Sequence, residues 1–146
     1  MPNQTIIRFG HPETLIREYE HWVVLLREQQ VTLGSLVLCA KSDATAFSDL
    51  PTDAFEEMGT VVRDIERVLG AVVGYEKINY LMLMMVDPNV HFHVFPRYAA
   101  ERSACGLTIH DHGWPGPPKL NDPRDLTPEE RDVLCKHIIG HWSDIV

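Results

Sequence analysis

Cysteine is scarce and unpatterned in this chain. Cys39, Cys105 and Cys135 are odd in number, far apart and never in a Cys-x-x-Cys spacing, so neither a disulfide framework nor a cysteine zinc site is indicated. Reduced, buried thiols are the expected state. Basic runs are also missing: the net charge is -8 and no cluster of Lys or Arg stands out. That argues against a general affinity for nucleic-acid backbones or anionic membranes, and any phosphate is expected to be bound locally. No segment approaches the roughly 18 apolar residues of a membrane span. The opening Met1-Pro-Asn-Gln-Thr lacks a basic region followed by an apolar stretch of signal-peptide length. A cytoplasmic protein is expected. Asn-Gly hairpin turns and internal repeats are absent as well.

What is present is enough for one core. With 146 residues and 45% hydrophobic content, the chain suits a single domain over residues 1–146 and is short for two. The apolar run Ile6 to Gly10, broken by His11-Pro12 before Thr14 to Tyr19, reads as an edge strand. His21 to Leu26 and Leu36 to Ala40, separated by Arg27-Glu28-Gln29-Gln30 and the turn-forming Gly34-Ser35, read as two antiparallel strands joined by a longer loop. From Thr52 to Leu69, Phe55, Met58, Val62, Ile65 and Leu69 recur at steps of three and four, which predicts a helix capped by Thr52 and stopped at Gly70. Lys77 to Val86 is continuously apolar and short, which predicts a buried, central strand ended by Asp87-Pro88. Beyond Tyr98 the Gly- and Pro-rich chain predicts a long loop without a regular element. Thr127-Pro128-Glu129-Glu130 then opens a final helix, with Val133, Leu134, Ile138 and Trp142 as its buried stripe. The sum is an α+β arrangement with a mainly antiparallel sheet, one long crossing helix and a C-terminal helix.

The chemistry concentrates at Asn89-Val90-His91-Phe92-His93-Val94-Phe95-Pro96-Arg97. Alternation along a strand puts Asn89, His91, His93 and Phe95 on one side and Val90, Phe92 and Val94 on the other. Two imidazoles two residues apart, about 7 Å between Cα atoms, can both reach one phosphate-sized group. They can equally be ordinary half-buried residues of a strand. For His110-Asp111-His112 a metal site is conceivable, but no third partner stands at a diagnostic spacing and the solvated-loop reading is preferred. Trp114 either covers the cleft, stacking on a base, or packs the loop onto the core. Met82, Met84 and Met85 read as core. Arg97 either faces phosphate or ends the strand with a surface ion pair.

This stretch resembles the histidine triad (HIT) superfamily motif, His-φ-His-φ-His-φ-φ followed by Pro-Arg. Two of the three histidines, His91 and His93, are present at the motif's spacing, with Asn89 at the first position. Lys77-Ile-Asn-Tyr-Leu-Met-Leu resembles the preceding strand of bacterial members, and Leu33-Gly34-Ser35-Leu36-Val37-Leu38 resembles the family's Pro-Gly-His-φ-φ-φ strand. The resemblance covers about residues 6 to 118, leaving a C-terminal loop and helix over about 119 to 146. It implies a five-stranded sheet, a homodimer, no cofactor or metal, and a nucleotide substrate. The implied reaction is hydrolysis or nucleotidyl transfer at the α-phosphate of a nucleoside phosphate ester, phosphoramidate or dinucleoside polyphosphate such as diadenosine tetraphosphate. His91 takes the place of the attacking histidine, and a neutral imidazole is a competent nucleophile near pH 7. His93 takes the place of the histidine that hydrogen-bonds phosphate or leaving group, stabilising charge if protonated. The resemblance further places Asn89, Arg27, Leu25, Val37 and Trp114 around the substrate, Arg27 standing where relatives carry a ribose-contacting Asn. Ser35 and Met85 replace a His and an Asn common in relatives, and Met85 cannot replace an amide donor. The alternative function is a nucleotide-binding protein with little or no turnover.

Overall fold

The two Val- and Leu-rich segments explain the architecture, because every residue in each is buried. A strand buried on both faces reads as a continuous apolar run, and it needs a cover on each side. In the computed structural model, which describes residues 1–145, the covers come from three helices. The elements in order are α1 (Gln4–Arg8), β1 (Leu15–Glu18), β2 (Trp22–Leu26), β3 (Gln29–Gln30), β4 (Leu36–Ala40), α2 (Thr52–Val72), β5 (Lys77–Leu81), β6 (His91–Arg97), β7 (Arg102–Ala104), β8 (Leu107–Ile109), β9 (Arg124–Asp125) and α3 (Pro128–Ile145). One five-stranded sheet has the order β1-β2-β4-β6-β5 with every pair antiparallel, while β3 pairs with β9 and β7 with β8. This is the α+β fold expected from the residues.

One sheet face, with Trp22, Val24, Leu26, Leu36, Leu38 and Val94, packs against α2 and α3 through Val61, Ile65, Val68, Leu134, Ile138 and Trp142. The opposite face carries a smaller cluster of Val23, Leu25, Val37 and Cys39 under Ile6 of α1. Directly paired strand residues face the same side, so the partnering of Cys39 with His91 and Val37 with His93 puts both histidines on the α1 face.

Several local expectations are corrected. The run at Ile6 belongs to α1, because Asn3 caps it: Asn3 Oδ1 accepts the Ile6 N–H at 3.0 Å. The edge strand is β1 instead. Helix α2 has Pro51 at its cap position, so Thr52 is already helical, and it runs through Gly70 to Val72. It stops at Gly74, whose φ of 62° accepts the left-handed turn that a helix end requires. Its buried stripe is Ala54, Val61, Ile65, Val68 and Leu69, with Phe55 left 37% exposed. The rotation follows from Trp22, whose Nε1–H donates to the Ala54 carbonyl at 2.7 Å and draws that small residue inward.

Strand β5 ends at Leu81 and lies at the sheet edge, not its centre. Met82 to Pro88 therefore leave the sheet, and Met85 is 86% exposed instead of in the core. The chain beyond Tyr98 does hold a regular element. Strands β7 and β8 form a hairpin around Cys105 and Gly106, both at positive φ, as a two-residue turn demands. Helix α3 opens with the capping box read from the sequence: Glu130 N–H donates to Thr127 Oγ1 at 3.1 Å and Thr127 N–H to Glu130 Oε1 at 2.9 Å. Cys135, not Val133, joins its buried stripe.

Candidate functional site

On the α1 face of β6, His91 and His93 form the floor of a cavity of about 580 Å³. One wall is Arg8 and Phe9 from the end of α1 with Arg27 to Gln29 from the turn after β2, and the other is the segment Leu83 to Asp87. The rings of His91 and His93 are 5.2 Å apart and nearly perpendicular, and Phe9 stands 5.6 Å from each. Beyond His93, Phe95 stacks on it at 6.1 Å, and the Arg27 guanidinium carbon lies 5.6 Å from the Phe95 ring centre. The cavity thus runs from His91 past His93 to Arg27, with Phe95 buried beneath its Arg27 end.

His91 is held by its own chain. Its Nδ1 is 2.7 Å from the carbonyl oxygen of Asn89. A carbonyl only accepts, so Nδ1 carries the proton, and Nε2 across the ring keeps the free lone pair. The Asn89 side chain is buried and fully engaged away from the cavity. Its Nδ2 donates to the Asp43 carbonyl at 3.0 Å, and its Oδ1 accepts from Thr5 N–H at 3.2 Å and Thr5 Oγ1 at 3.0 Å. The Asn89 N–H in turn donates to Thr5 Oγ1 at 3.1 Å. Asn3 adds two more bonds from the N-terminus, to the carbonyls of Ala40 and Ser42, each at 2.9 Å. These bonds pin α1 against the sheet, and α1 delivers Phe9 and Arg8 to the cavity.

Electrostatics separate the two histidines. Burial, then the nearby charge of Arg27, lowers His93 from the usual imidazole range to about 4, so it is neutral at pH 7. Its Nδ1 is buried without a hydrogen-bond partner. Cys39, paired with His91 on β4, is buried, and burial followed by Asp87 pushes its thiol well above its usual range. It stays protonated and is no rival nucleophile.

The residues singled out in the sequence are distributed as follows. His91, His93 and Arg27 share the cavity. Leu25 and Val37 are fully buried in the sheet row beside His93, beneath the cavity and not on its wall. Asn89 lies behind His91. Trp114 lines a separate cavity of about 500 Å³ with Lys77, Asn79 and Arg97.

Arg97 is neither a phosphate contact nor a surface ion pair. It is 3% exposed and grips Asp111 with two bonds, Nε to Oδ2 at 2.7 Å and Nη2 to Oδ1 at 3.0 Å, while also donating to Asn79 Oδ1 and the Gly116 carbonyl. His110 pairs with Glu101 at 2.8 Å, and among the described residues no group of three His, Cys, Asp or Glu side chains is placed to hold a metal ion. Sequence reading missed Thr5, Arg8, Phe9 and the Leu83 to Asp87 wall. Asn3, a good helix cap just ahead of Thr5 and Ile6, was the available signal for α1.

With that geometry in view, the HIT domain model matches residues 8–100. The chain belongs to the HIT family. The matched stretch contains the whole lining of the histidine cavity, from Arg8 to His93. A histidine triad protein from Marinobacter aquaeolei VT8 is 17% identical with a TM-score of 0.76, covering 100% of this chain and 98% of its own. A hypothetical histidine triad nucleotide-binding protein from Sulfolobus tokodaii is 17% identical with a TM-score of 0.74 over 97% of this chain and 91% of its own. The diadenosine triphosphate hydrolase of Plasmodium falciparum is 11% identical with a TM-score of 0.68 over 92% and 79%. At such identities the likeness is one of fold. No curated protein matches this chain significantly. HIT domains bind nucleotides, and among the described residues no helix is long and apolar enough to cross a membrane.

Proposed function

We propose that this HIT domain cleaves a nucleoside phosphate ester, phosphoramidate or dinucleoside polyphosphate at the α-phosphate through a nucleotidyl-histidine intermediate. The observation that carries the reading is the 2.7 Å bond from His91 Nδ1 to the Asn89 carbonyl, which leaves Nε2 with its lone pair on a cavity floor. In this reaction Nε2 attacks the α-phosphorus. The P–N bond forms as the bond to the leaving group breaks, and the leaving group departs with the electron pair. Water then attacks the same phosphorus, breaks the P–N bond and frees the nucleoside monophosphate, restoring His91. Splitting one displacement into two suits imidazole, which is a good nucleophile and, once protonated, a good leaving group.

His93, being neutral at pH 7, acts as a hydrogen-bonding group to phosphate or leaving group and not as a resident cation. Asn89 stands at the first position of the triad and contributes through its backbone carbonyl and its bonds to Thr5, outside the reacting atoms. The open edge strand β5 supports the homodimer that the family resemblance implies, which sedimentation of the purified chain would test. Hydrolysis assays with nucleoside phosphoramidates and dinucleoside polyphosphates test the function: His91→Ala is expected to lose turnover by more than about 10³-fold, and full retention would overturn the assignment.

A second reading, binding with little turnover, is favoured by one observation. Met85, at the exposed lip of the cavity, offers no amide donor to a leaving group. Micromolar nucleotide binding by calorimetry with no turnover of any such substrate would select it.

A further inference from the structure

Arg27 is the cleft's unexplained charge. It follows β2, with its N–H donating to the Ser35 carbonyl at 3.0 Å, and its guanidinium rises beside Phe95. Its Nη1 donates to the Gln29 carbonyl two residues on, but its Nε is buried without any partner. Among the described residues no carboxylate lies within ion-pair distance of it. The other cleft arginine, Arg8, is paired with Asp87 at 3.4 Å, and Glu28 on the same wall is engaged by Arg131 at 3.6 Å. A half-buried guanidinium in this state has given up water without gaining a paired counter-charge, a cost that an arriving anion offsets. Burial lowers its proton affinity, and the charge of Asp125, too far away to form an ion pair, offsets this only in part. Arginine's planar fork suits a phosphate in particular.

Position then separates Arg27 from the reacting phosphate. Along β6 the order is His91, His93 and the buried Phe95, with the Arg27 guanidinium beyond, at ring spacings of 5.2 Å and 6.1 Å and a final 5.6 Å to the guanidinium carbon. A phosphate over His91 Nε2 therefore has His93 between it and Arg27. We infer that Arg27 forms a second anion subsite, so that the cleft takes a nucleotide carrying two phosphate groups, one over His91 and the other at Arg27. This rests on the nucleotide reading of His91 given above. The second phosphate has two possible sources, the next member of a phosphoanhydride chain or a phosphate ester on the ribose, and both present the same dianion to the fork.

Calorimetry on the full chain with three ligands tests it: AMP, the non-hydrolysable α,β-methylene analogue of ADP, and adenosine 3′,5′-bisphosphate. One of the two-phosphate ligands is expected to bind at least roughly tenfold tighter than AMP, as a charge-assisted pair of hydrogen bonds allows. Whichever ligand shows the gain names the source. Arg27→Gln is expected to remove that gain, so that the two-phosphate ligand binds the variant within about twofold of AMP on the same variant, and Arg27→Lys, which keeps the charge without the fork, to retain part of it. Equal binding of all three ligands, a gain that survives in Arg27→Gln, or an equal loss for AMP and the two-phosphate ligands would overturn the inference while leaving His91 chemistry intact. Failure of all three to bind would instead overturn the nucleotide reading, and this inference with it. Should Arg27→Gln not fold, as judged by its thermal unfolding, Arg27→Lys decides: an undiminished gain counts against the subsite and a partial one supports it.

Discussion

The imidazole of His91 is tied through Nδ1 to the carbonyl of Asn89 at 2.7 Å, while the side chain of Asn89 is tied to Thr5 at 3.0 Å. One residue thereby links the orientation of a cavity histidine to the N-terminal helix that walls the cavity. Because the anchor for His91 is a backbone carbonyl, the side chain at 89 acts on the site through position alone.

The link predicts coupling between Thr5 and Asn89. Thr5→Val keeps the volume but deletes a hydroxyl that both donates to Asn89 Oδ1 and accepts from Asn89 N–H. Asn89 Oδ1 keeps the Thr5 N–H, but the buried Asn89 N–H loses its partner, which is expected to cost about 1–3 kcal/mol in denaturant unfolding. Asn89→Ala is expected to cost a similar amount, and the double variant less than the sum, with a coupling of about 0.5–3 kcal/mol. Strict additivity would contradict the link.

His93 predicts a pH dependence of stability. Its usual value near 6.5 falls to about 4 in the fold. Between those values the unfolded chain binds a proton that the native one does not, so stability rises with pH across this window and is lost as pH falls from about 6.5 towards about 4. His93→Gln is expected to flatten this part of the stability profile. An unchanged slope in the variant would assign the dependence to other groups.

The fold was legible in outline because its signals are local. The β2 and β4 runs, the β6 alternation and the Thr127 to Glu130 capping box all report on neighbouring residues. What escaped depends on partners distant in the chain. Asn3 and Thr5 make α1 useful by bonding to Ala40, Ser42 and Asn89, contacts that no periodicity encodes. The stripe of α2 was rotated by Trp22, thirty-two residues upstream of Ala54. At the site, the His91 and His93 spacing was visible in the sequence, but the neutrality of His93 was not, since it arises from burial and from Arg27 in the turn after β2. For Arg97 the sequence offers a phosphate contact or a surface ion pair, and neither is what forms, because its buried partner, Asp111, lies in a loop that reads as solvated.

That buried pair makes its own prediction. Asp111 has no exposed side-chain surface and Arg97 almost none, so Asp111→Asn leaves a guanidinium inside the protein without its counter-charge. A loss of about 3–5 kcal/mol is expected in equilibrium unfolding. Removing the exposed partner in the Lys41–Glu18 pair is expected to change little by comparison. If Asp111→Asn is as mild as the surface change, the pair is not structural.

The central claim is that His91 Nε2 becomes covalently bonded to phosphorus during turnover. Rapid acid-free quenching of the chain with a nucleoside phosphoramidate or dinucleoside polyphosphate, followed by intact-mass measurement, addresses it directly. The account predicts a mass increase of one nucleotidyl group that localises to His91 and is absent from His91→Ala. Turnover of the substrate with no adduct at any quench time, or an adduct that persists in His91→Ala, would contradict it.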